Sequence, residues 1–333
     1  MDPFYIHIPS VRAEIIPTLS KWFVHAAEAK GIGESGFNQI IRTQKEPLLG
    51  RQLKKIASHL KERGSASASE DFNADIHFVI ADNSAYFHEK PIAETHTPNA
   101  VQLSNLLNNI GNSHGIFVHI ITPAEMEMIM PPKKEILSRR HPLFHADTKG
   151  NVKTSPGAAT NIALSYIRTY HPTRYKGRAY FLRVGDDTYP SLRKSYGNRN
   201  FFLDMKDHIE GRKSQNISGK YNGYNDNKGV RVRPNQGTFS RFIVRHQYPA
   251  DMIYYQTVGD EDANYTTRPH KTYFTPNYMY HGGRTTTLKT RPYKDTFGGY
   301  VKIWQDSVEE VRPVKAEFID AVMAKNGIEK GKK

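Results

Sequence analysis

The N-terminal half of the chain alternates between segments with helix-like and segments with strand-like spacing of hydrophobic residues. Residues 47–63 carry apolar side chains three or four positions apart, which predicts an amphipathic helix. The same criterion predicts helices over residues 13–31 and 159–171. The apolar side chains within 47–63 are Leu48, Leu49, Leu53, Ile56 and Leu60.

Two runs rich in β-branched residues, 76–82 and 115–123, predict buried strands. Between them, residues 101–111 have helical spacing, and Gly111 predicts the end of that helix. A strand, a helix and a second strand in this order favour parallel pairing. Residues 1–130 are therefore expected to form a small α/β domain, whose role the sequence leaves open.

Residues 131–157 are rich in proline, charge and turn-forming residues, which predicts a linker. After the linker, short β-prone segments are separated by frequent turn signals. This pattern predicts a mainly β domain over residues 158–333. The predicted fold class is thus α+β, with an N-terminal α/β domain followed by a mainly β domain.

The segment 177–214 is the part of the chain that most resembles a chemical site. A short predicted strand contains Arg183 and is followed by a turn at Asp186. A predicted helix further on, with Asp204 as its expected N-cap, carries His208. Because the chain reverses direction between Arg183 and His208, these two side chains are expected to converge on one ligand.

This segment resembles the start of the catalytic domain in ADP-ribosyltransferases of the cholera and pertussis toxin type. The resemblance implies split β-sheets around a cleft, and NAD as the cofactor. It implies that Arg183 binds NAD beside the turn residue Asp186, and that His208 is an active-site residue. An arginine at a strand end offers a fork of donors to a pyrophosphate. The matching residues are Arg183, Asp186, Asp187, Pro190, Gly197 and the run from Asp207 to Ser214.

The same family requires a strand with hydroxyl side chains and a catalytic glutamate. By the resemblance, Thr238 and Ser240 are the candidates for the strand that shapes the nicotinamide pocket. Glu317 is the candidate for the glutamate that stabilises the oxocarbenium-like centre as nicotinamide leaves. The chain departs from the family here, because residues 177–333 contain no Glu-X-Glu. The alternatives to Glu317 are Glu261, Glu309 and Glu310.

Charge adds a second hypothesis about function. The chain has 47 Lys and Arg against 33 Asp and Glu, a formal net charge of +14, which favours polyanionic partners. The expected function is an NAD-dependent mono-ADP-ribosyltransferase, of toxin or effector type, whose acceptor is a protein or a nucleic acid. The alternative is a non-enzymatic, basic nucleic-acid-binding or virion-associated protein, because Arg, Lys and Tyr are interleaved over residues 212–303.

Composition excludes several other classes of site. The absence of cysteine rules out disulfides, thiolate metal ligands and cysteine nucleophiles. No HExxH motif occurs, and the pair His141 and His145 is expected to be ordinary, so no metal site is predicted. No apolar run reaches the roughly 18 residues of a membrane span, and the N-terminus lacks the pattern of a secretory signal. A soluble protein is expected, with its compartment and oligomeric state open.

Overall fold

The protein is built around a parallel β-sheet flanked by helices. In this computed structural model, the described residues include two single 3-10 turns, Ile92–Glu94 and Asn112–His114. The helices are α1 (Ile15–Ala29), α2 (Ser35–Thr43), α3 (Pro47–Arg63), α4 (Thr97–Gly111) and α5 (Phe201–Arg212). The strands are β1 (Phe4–Ser10), β2 (Ile76–Asp82), β3 (Ile116–Ile121), β4 (Phe144–Ala146), β5 (Val152–Thr154), β6 (Tyr180–Arg183), β7 (Thr188–Pro190), β8 (Asn216–Asn222), β9 (Arg241–Ile243) and β10 (Thr272–His281).

The structure describes part of the chain. The described residues are 1, 3–10, 13, 15–64, 72–82, 84, 91–123, 125, 144–146, 152–154, 159, 162–163, 166–167, 180–186, 188–190, 192, 200–212, 216–222, 241–243 and 272–281. Of these, residues 144–146, 152–154, 181, 208–212, 216–222, 241–243 and 272–281 are described by their backbone alone.

The central sheet has the strand order β3-β2-β1-β6, and all three pairings are parallel. One face of it is hydrophobic as far as Ile8 and Ile80, and the polar pair Ser10 and Asp82 follows at its carboxyl end. The register pairs Phe4 with Ile76 and Ile8 with Ile80, and side chains of paired residues point to the same side of a sheet. The main core lies against this face, and the apolar stripes of helices α1, α3, α4 and α5 contribute to it. Large side chains buried in that core include Trp22, Phe23, Leu53, Phe78, Leu107 and Phe202.

The opposite face of the sheet carries rings and titratable groups. His7 and His119 both lie in register with Val79, so the three share this face. Helical residues from the stretch 159–167 cover part of it, because the Tyr166 ring lies 6.0 Å from the His119 ring. The chain adds β2 and β3 on one side of β1 and β6 on the other. Because crossovers between parallel strands are right-handed, the connections on the two sides of β1 place helices on opposite faces of the sheet. The buried residues of the stretch are Ala159, Ile162, Ala163 and Ile167.

Helix α4 is fixed to the edge strand β3 by side-chain hydrogen bonds. The Asn108 amide donates to the Val118 carbonyl (2.9 Å) and accepts from the Val118 N–H (2.7 Å). It therefore fills the hydrogen-bonding positions that a further strand would occupy. Helix and strand also approach closely at Gly111, where an added Cβ would lie 2.8 Å from the Ile116 carbonyl oxygen.

Several predictions of the sequence analysis are confirmed. The helix over 47–63 and the strand over 76–82 have the predicted bounds, and α4 ends at Gly111. The predicted strand, helix and parallel strand are β2, α4 and β3. Mixed helix and strand around a parallel sheet agree with the predicted α+β class.

The region beyond residue 158 differs in one respect from the expectation. Residues 180–183, assigned from sequence to the second domain, are β6, the fourth strand of the sheet that begins with β1. Farther along the chain, β7, β10, β8 and β9 form a second sheet, in which β10 is antiparallel to β7 and parallel to β8. Within the predicted linker, β4 and β5 pair as an antiparallel ribbon. The domain boundary and the split-sheet architecture stay predictions.

No helix among the described residues is both long enough and apolar enough to cross a membrane.

Candidate functional site at the carboxyl edge of the parallel sheet

The strand order creates a reversal point next to β1. From β1 the chain builds outward through β2 to β3, and then returns to place β6 on the other side of β1. In open parallel sheets, ligands bind outside the carboxyl ends of the strands at such a point, because the connections there lead away in opposite directions. A ligand site is therefore expected at the carboxyl ends of β1 and β6.

The pairing of β1 with β6 explains how Pro9 is accommodated inside the sheet. It also shows that the last residues of β1 have no partner residue in β6. The His7 carbonyl accepts from the Val184 N–H (3.0 Å), so backbone groups of His7 point toward β6. Pro9, two residues on, points the same way. Pairing with β6 stops at His7 opposite Arg183, whereas pairing with β2 continues to Ser10 opposite Asp82. Pro9 lies beyond the last residue pair of β1 and β6, so its missing N–H costs no hydrogen bond between these strands. Strand β1 extends three residues past this last pair.

Arg183 is the last residue of β6 and a cation at this reversal point. It lies in register with His7 on the face of the sheet opposite the main core, and it is half-buried. Burial lowers the pKa of His7 to about 3; a hydrogen bond to the Val79 carbonyl opposes this shift, and the charge of Arg183 adds to it. His7 is therefore neutral near pH 7 and donates its Nδ1 proton to Val79. Arg183 supplies the positive charge.

The turn after Arg183 is anchored to helix α1. Asp186 is buried, and the Thr188 N–H donates to the Gly185 carbonyl (3.1 Å) to close the turn. The Trp22 indole N–H donates to the Thr188 carbonyl (2.9 Å). Since Trp22 is itself in the main core, this turn is held in place by the rigid part of the molecule.

A buried polar cluster closes the carboxyl end of β2. The Asp82 carboxylate accepts from the Thr97 hydroxyl (2.6 Å) and from the Ser84 N–H (3.0 Å), and it lies 3.4 Å from His96 Nε2. Burial by itself would raise the pKa of Asp82, but the hydrogen bond and charge interaction with His96 and the hydrogen bonds from Ser84 and Thr97 outweigh it, and the pKa is lowered. The signal for this cluster in the sequence is an acidic residue, Asp82, at the end of a buried strand.

The same cluster contains a serine, a histidine and an aspartate, but its geometry does not suit nucleophilic catalysis. Ser10 Oγ lies 3.3 Å from His96 Nε2, the nitrogen that also faces Asp82. A catalytic relay requires one ring nitrogen to take the serine proton and the other to donate to the carboxylate. With one nitrogen facing both partners, the cluster joins the ends of β1 and β2 to the start of α4 and serves as a structural lock.

A second buried polar network fixes the start of α5, the helix that carries His208. Arg63 Nε donates to Glu28 (2.7 Å), and the Asn200 amide donates to both Glu28 (2.9 Å) and the His25 carbonyl (2.7 Å). Asn200 Oδ1 accepts from the backbone of Phe202 (2.9 Å). Asn200, rather than the predicted Asp204, is therefore the N-cap, and α5 begins before Asp204. The reason is tertiary: Asn200 is held by α1.

The predicted site residues are distributed unevenly over the described structure. Arg183 and Asp186 both lie at the carboxyl edge, on the last residue of β6 and in the turn after it. The backbone of His208 lies in α5, and its side chain is outside the description. Thr238, Ser240 and Glu317, with the alternatives to Glu317, lie outside the described residues. Convergence of Arg183 with His208 and Glu317 stays a prediction.

Among the described side chains, no group of three or more His, Asp or Glu is placed to hold a metal ion. Comparison with known proteins adds no further constraint, because no protein-family model, no curated protein sequence and no solved structure matches this chain.

Proposed function

We propose that the protein binds a nucleotide at the carboxyl edge of the parallel sheet, between β1 and β6, and that the nucleotide is NAD. The observation that carries the proposal is the position of Arg183, a half-buried cation that ends β6 beside the reversal of strand order. A guanidinium in that position is suited to a pyrophosphate, since its paired N–H groups match two phosphate oxygens.

Two further features support an anionic ligand at this edge. Helix α1 begins at Ile15, shortly after β1 ends at Ser10, so the positive end of its dipole faces the carboxyl edge. The net charge of +14 raises the concentration of anions near the surface as a whole.

The site differs from the usual dinucleotide-binding sheet in two ways. The segment after β1, residues 11–15, contains no glycine, so it lacks the close backbone approach to pyrophosphate that a glycine-rich turn provides. Asp82, which ends the second strand, is already satisfied by Thr97, Ser84 and His96 and is not available for a ribose. We therefore expect the side chain of Arg183 to contribute a larger share of the affinity for pyrophosphate than a side chain contributes in a glycine-rich site, where backbone N–H groups bind it.

The reaction proposed for the bound NAD is ADP-ribosyl transfer, on the strength of the resemblance over residues 177–214. In that reaction the bond between nicotinamide and the ribose breaks, nicotinamide leaves, and an acceptor nucleophile takes its place. His208 and Glu317 are the residues proposed to assist, the first at the ribose or the acceptor and the second at the oxocarbenium-like centre.

Binding and reaction are tested separately. Titration calorimetry with NAD on the full chain is expected to give at least a tenfold weaker affinity in Arg183→Ala, and a smaller loss in Arg183→Lys. Arg51→Ala, an exposed arginine on α3, is the matched control and should bind as the wild type does. Equal affinity in wild type and Arg183→Ala would contradict the proposed site.

Release of nicotinamide from NAD, followed by chromatography, tests the reaction. It is expected in the wild type and lost in Glu317→Gln, with NAD affinity retained. NAD binding without nicotinamide release in the wild type would overturn the transferase assignment and leave the binding site standing.

A further inference from the structure

Helices α2 and α3 and the residues that join them carry a set of exposed cations, which we call the basic face. Its side chains are exposed to solvent, and no carboxylate among the described residues lies within ion-pair distance of any of them. The basic face consists of Arg42, Lys45, Arg51, Lys54, Lys55 and Lys61.

The orientation of α3 is fixed by its buried side. Leu49, Leu53 and Ile56 are fully buried in the main core, so the arc of the helix on the other side faces solvent. Four cations lie on that outer arc between positions 51 and 61, a length of roughly 15 Å at the rise of an α-helix. They therefore form a fixed array of charges on a rigid element, and not a set of charges on a loop.

The carboxylates near this array are already occupied. Glu62 accepts from the Ser58 hydroxyl (3.1 Å) and lies 3.6 Å from His59 Nδ1. Glu46 is the N-cap of α3 and accepts from the Leu49 N–H (2.6 Å). Arg63 is excluded from the face, because it is buried in an ion pair with Glu28. The four cations of α3 therefore outnumber the one carboxylate on that helix, Glu62, and the array has a net positive charge.

We infer that the basic face binds the phosphate backbone of a double-stranded nucleic acid. A duplex presents closely spaced phosphates along a rigid axis, which is the arrangement that complements a rigid row of Lys and Arg. Exposed amides of Asn38 and Gln39 on α2 are further donors of the kind that contact phosphate and sugar. This inference is independent of the proposed NAD site, since no residue of the basic face belongs to the carboxyl edge.

Single-stranded nucleic acid and membrane surfaces fit the face less well. Binding of single strands relies on exposed aromatic rings that stack on bases, whereas Phe37, the one aromatic residue of α2 and α3 apart from His59, is buried. Helices that lie in a membrane surface insert large apolar side chains. Among the described residues the only exposed large hydrophobic side chain is Met1, which is not on this face.

The test is fluorescence anisotropy of the full chain with a labelled duplex of about 24 base pairs, titrated at several salt concentrations. If the four cations on α3 each contact one phosphate, they contribute roughly −3.6 to the slope of log K against log salt. The double variant Lys54→Ala/Lys55→Ala is expected to bind at least tenfold more weakly at low salt, with a slope shallower by about 1.8. Circular dichroism checks that the variant is folded.

The matched control is Lys332→Ala/Lys333→Ala, which removes the same two charges from the C-terminal end of the chain. It is expected to keep the wild-type slope and affinity to within about twofold. Equal slopes in the two double variants would overturn the inference. Tighter binding of a single strand than of the duplex would overturn it too, as would binding to vesicles with phosphatidylserine that depends on Lys54 and Lys55 while duplex binding does not.

Discussion

The two faces of the parallel sheet are built from the same strands but have different chemistry. In β2, Phe78 points into the main core, whereas its neighbour His77 points to the opposite face. There His77 is stacked between the rings of Tyr5 and Phe117, at centroid distances of 4.5 and 4.7 Å. Both residues are buried, so burial alone does not separate the faces. What separates them is the row of histidines His7, His77 and His119, which lies on the opposite face only.

This difference suggests a division of roles. The main core, which lies against the hydrophobic face, contributes most of the apolar burial among the described residues and so most of the stability. The opposite face carries His7, His77 and His119, and burial lowers the pKa of His7 and of His119 there. It is also the face on which Arg183 ends β6.

The largest expected effect comes from a cavity on the hydrophobic face. Phe78→Ala should lower the free energy of unfolding by about 3–5 kcal/mol, because it removes a fully buried ring and leaves a void among rigid neighbours. Chemical denaturation followed by circular dichroism measures this. Phe78→Leu is the control and should lose less, since it keeps most of the volume; a loss in Phe78→Ala below about 1 kcal/mol would mean that this face is not the main core.

The next effect is a pH dependence that arises on the opposite face. Because the pKa of His7 is about 3 in the folded protein and near 6.5 when unfolded, only the unfolded chain binds this proton between those values. Stability therefore falls as the pH is lowered through this window, by about 2 kcal/mol between pH 7 and pH 5 from His7 alone. The pKa of His119 is also lowered by burial, so it acts in the same direction.

His7→Asn isolates this contribution. The asparagine amide can donate to the Val79 carbonyl in place of Nδ1, but it does not titrate. Denaturation curves at pH 7 and pH 5 should show a pH-dependent loss about 2 kcal/mol smaller in the variant than in the wild type. Asp82 does not contribute to the difference between pH 7 and pH 5. Its pKa is lowered from 3.8 in the folded protein, so the stability that depends on its charge is lost at lower pH. The same pH dependence in both proteins would rule out a buried neutral His7.

The smallest expected change in the free energy of unfolding comes from a substitution on the opposite face, His77→Phe. His77→Phe keeps the stack between Tyr5 and Phe117 and loses the 3.3 Å contact between His77 Nδ1 and His119 Nε2. His119 is partly exposed, so water can replace that partner. The free energy of unfolding at pH 7 should change by about 1 kcal/mol or less. A loss comparable to that of Phe78→Ala would show that the two faces do not differ as described.

Local pattern was sufficient to predict the elements whose burial is regular. Helix α3 and strand β2 have continuous apolar spacing, and both were predicted with their observed bounds. Strand β1 was not predicted, although it lies inside the sheet. Its sequence includes His7 and Pro9, which are unfavourable for a buried strand. The fold accommodates both, the histidine by staying neutral and the proline by lying past the last pair with β6.

Tertiary contacts account for what the sequence could not show at the site. The position of Arg183 at a strand end was predicted, but its strand pairs with β1, more than 170 residues earlier in the chain. The N-cap of α5 is Asn200 and not the predicted Asp204, because a carbonyl of α1 binds the Asn200 side chain. The cluster around Asp82 joins segments that are separate in sequence, so no local motif marks it.

The most direct test of the carboxyl-edge site is hydrogen–deuterium exchange, measured by mass spectrometry with and without NAD. Peptides that cover residues 9–16 and 180–190 should be protected by NAD in the wild type and unprotected in Arg183→Ala. Peptides from α3 should be unchanged in both. Protection confined to other parts of the chain, or equal protection in wild type and Arg183→Ala, would contradict the assignment of the site to the reversal point between β1 and β6.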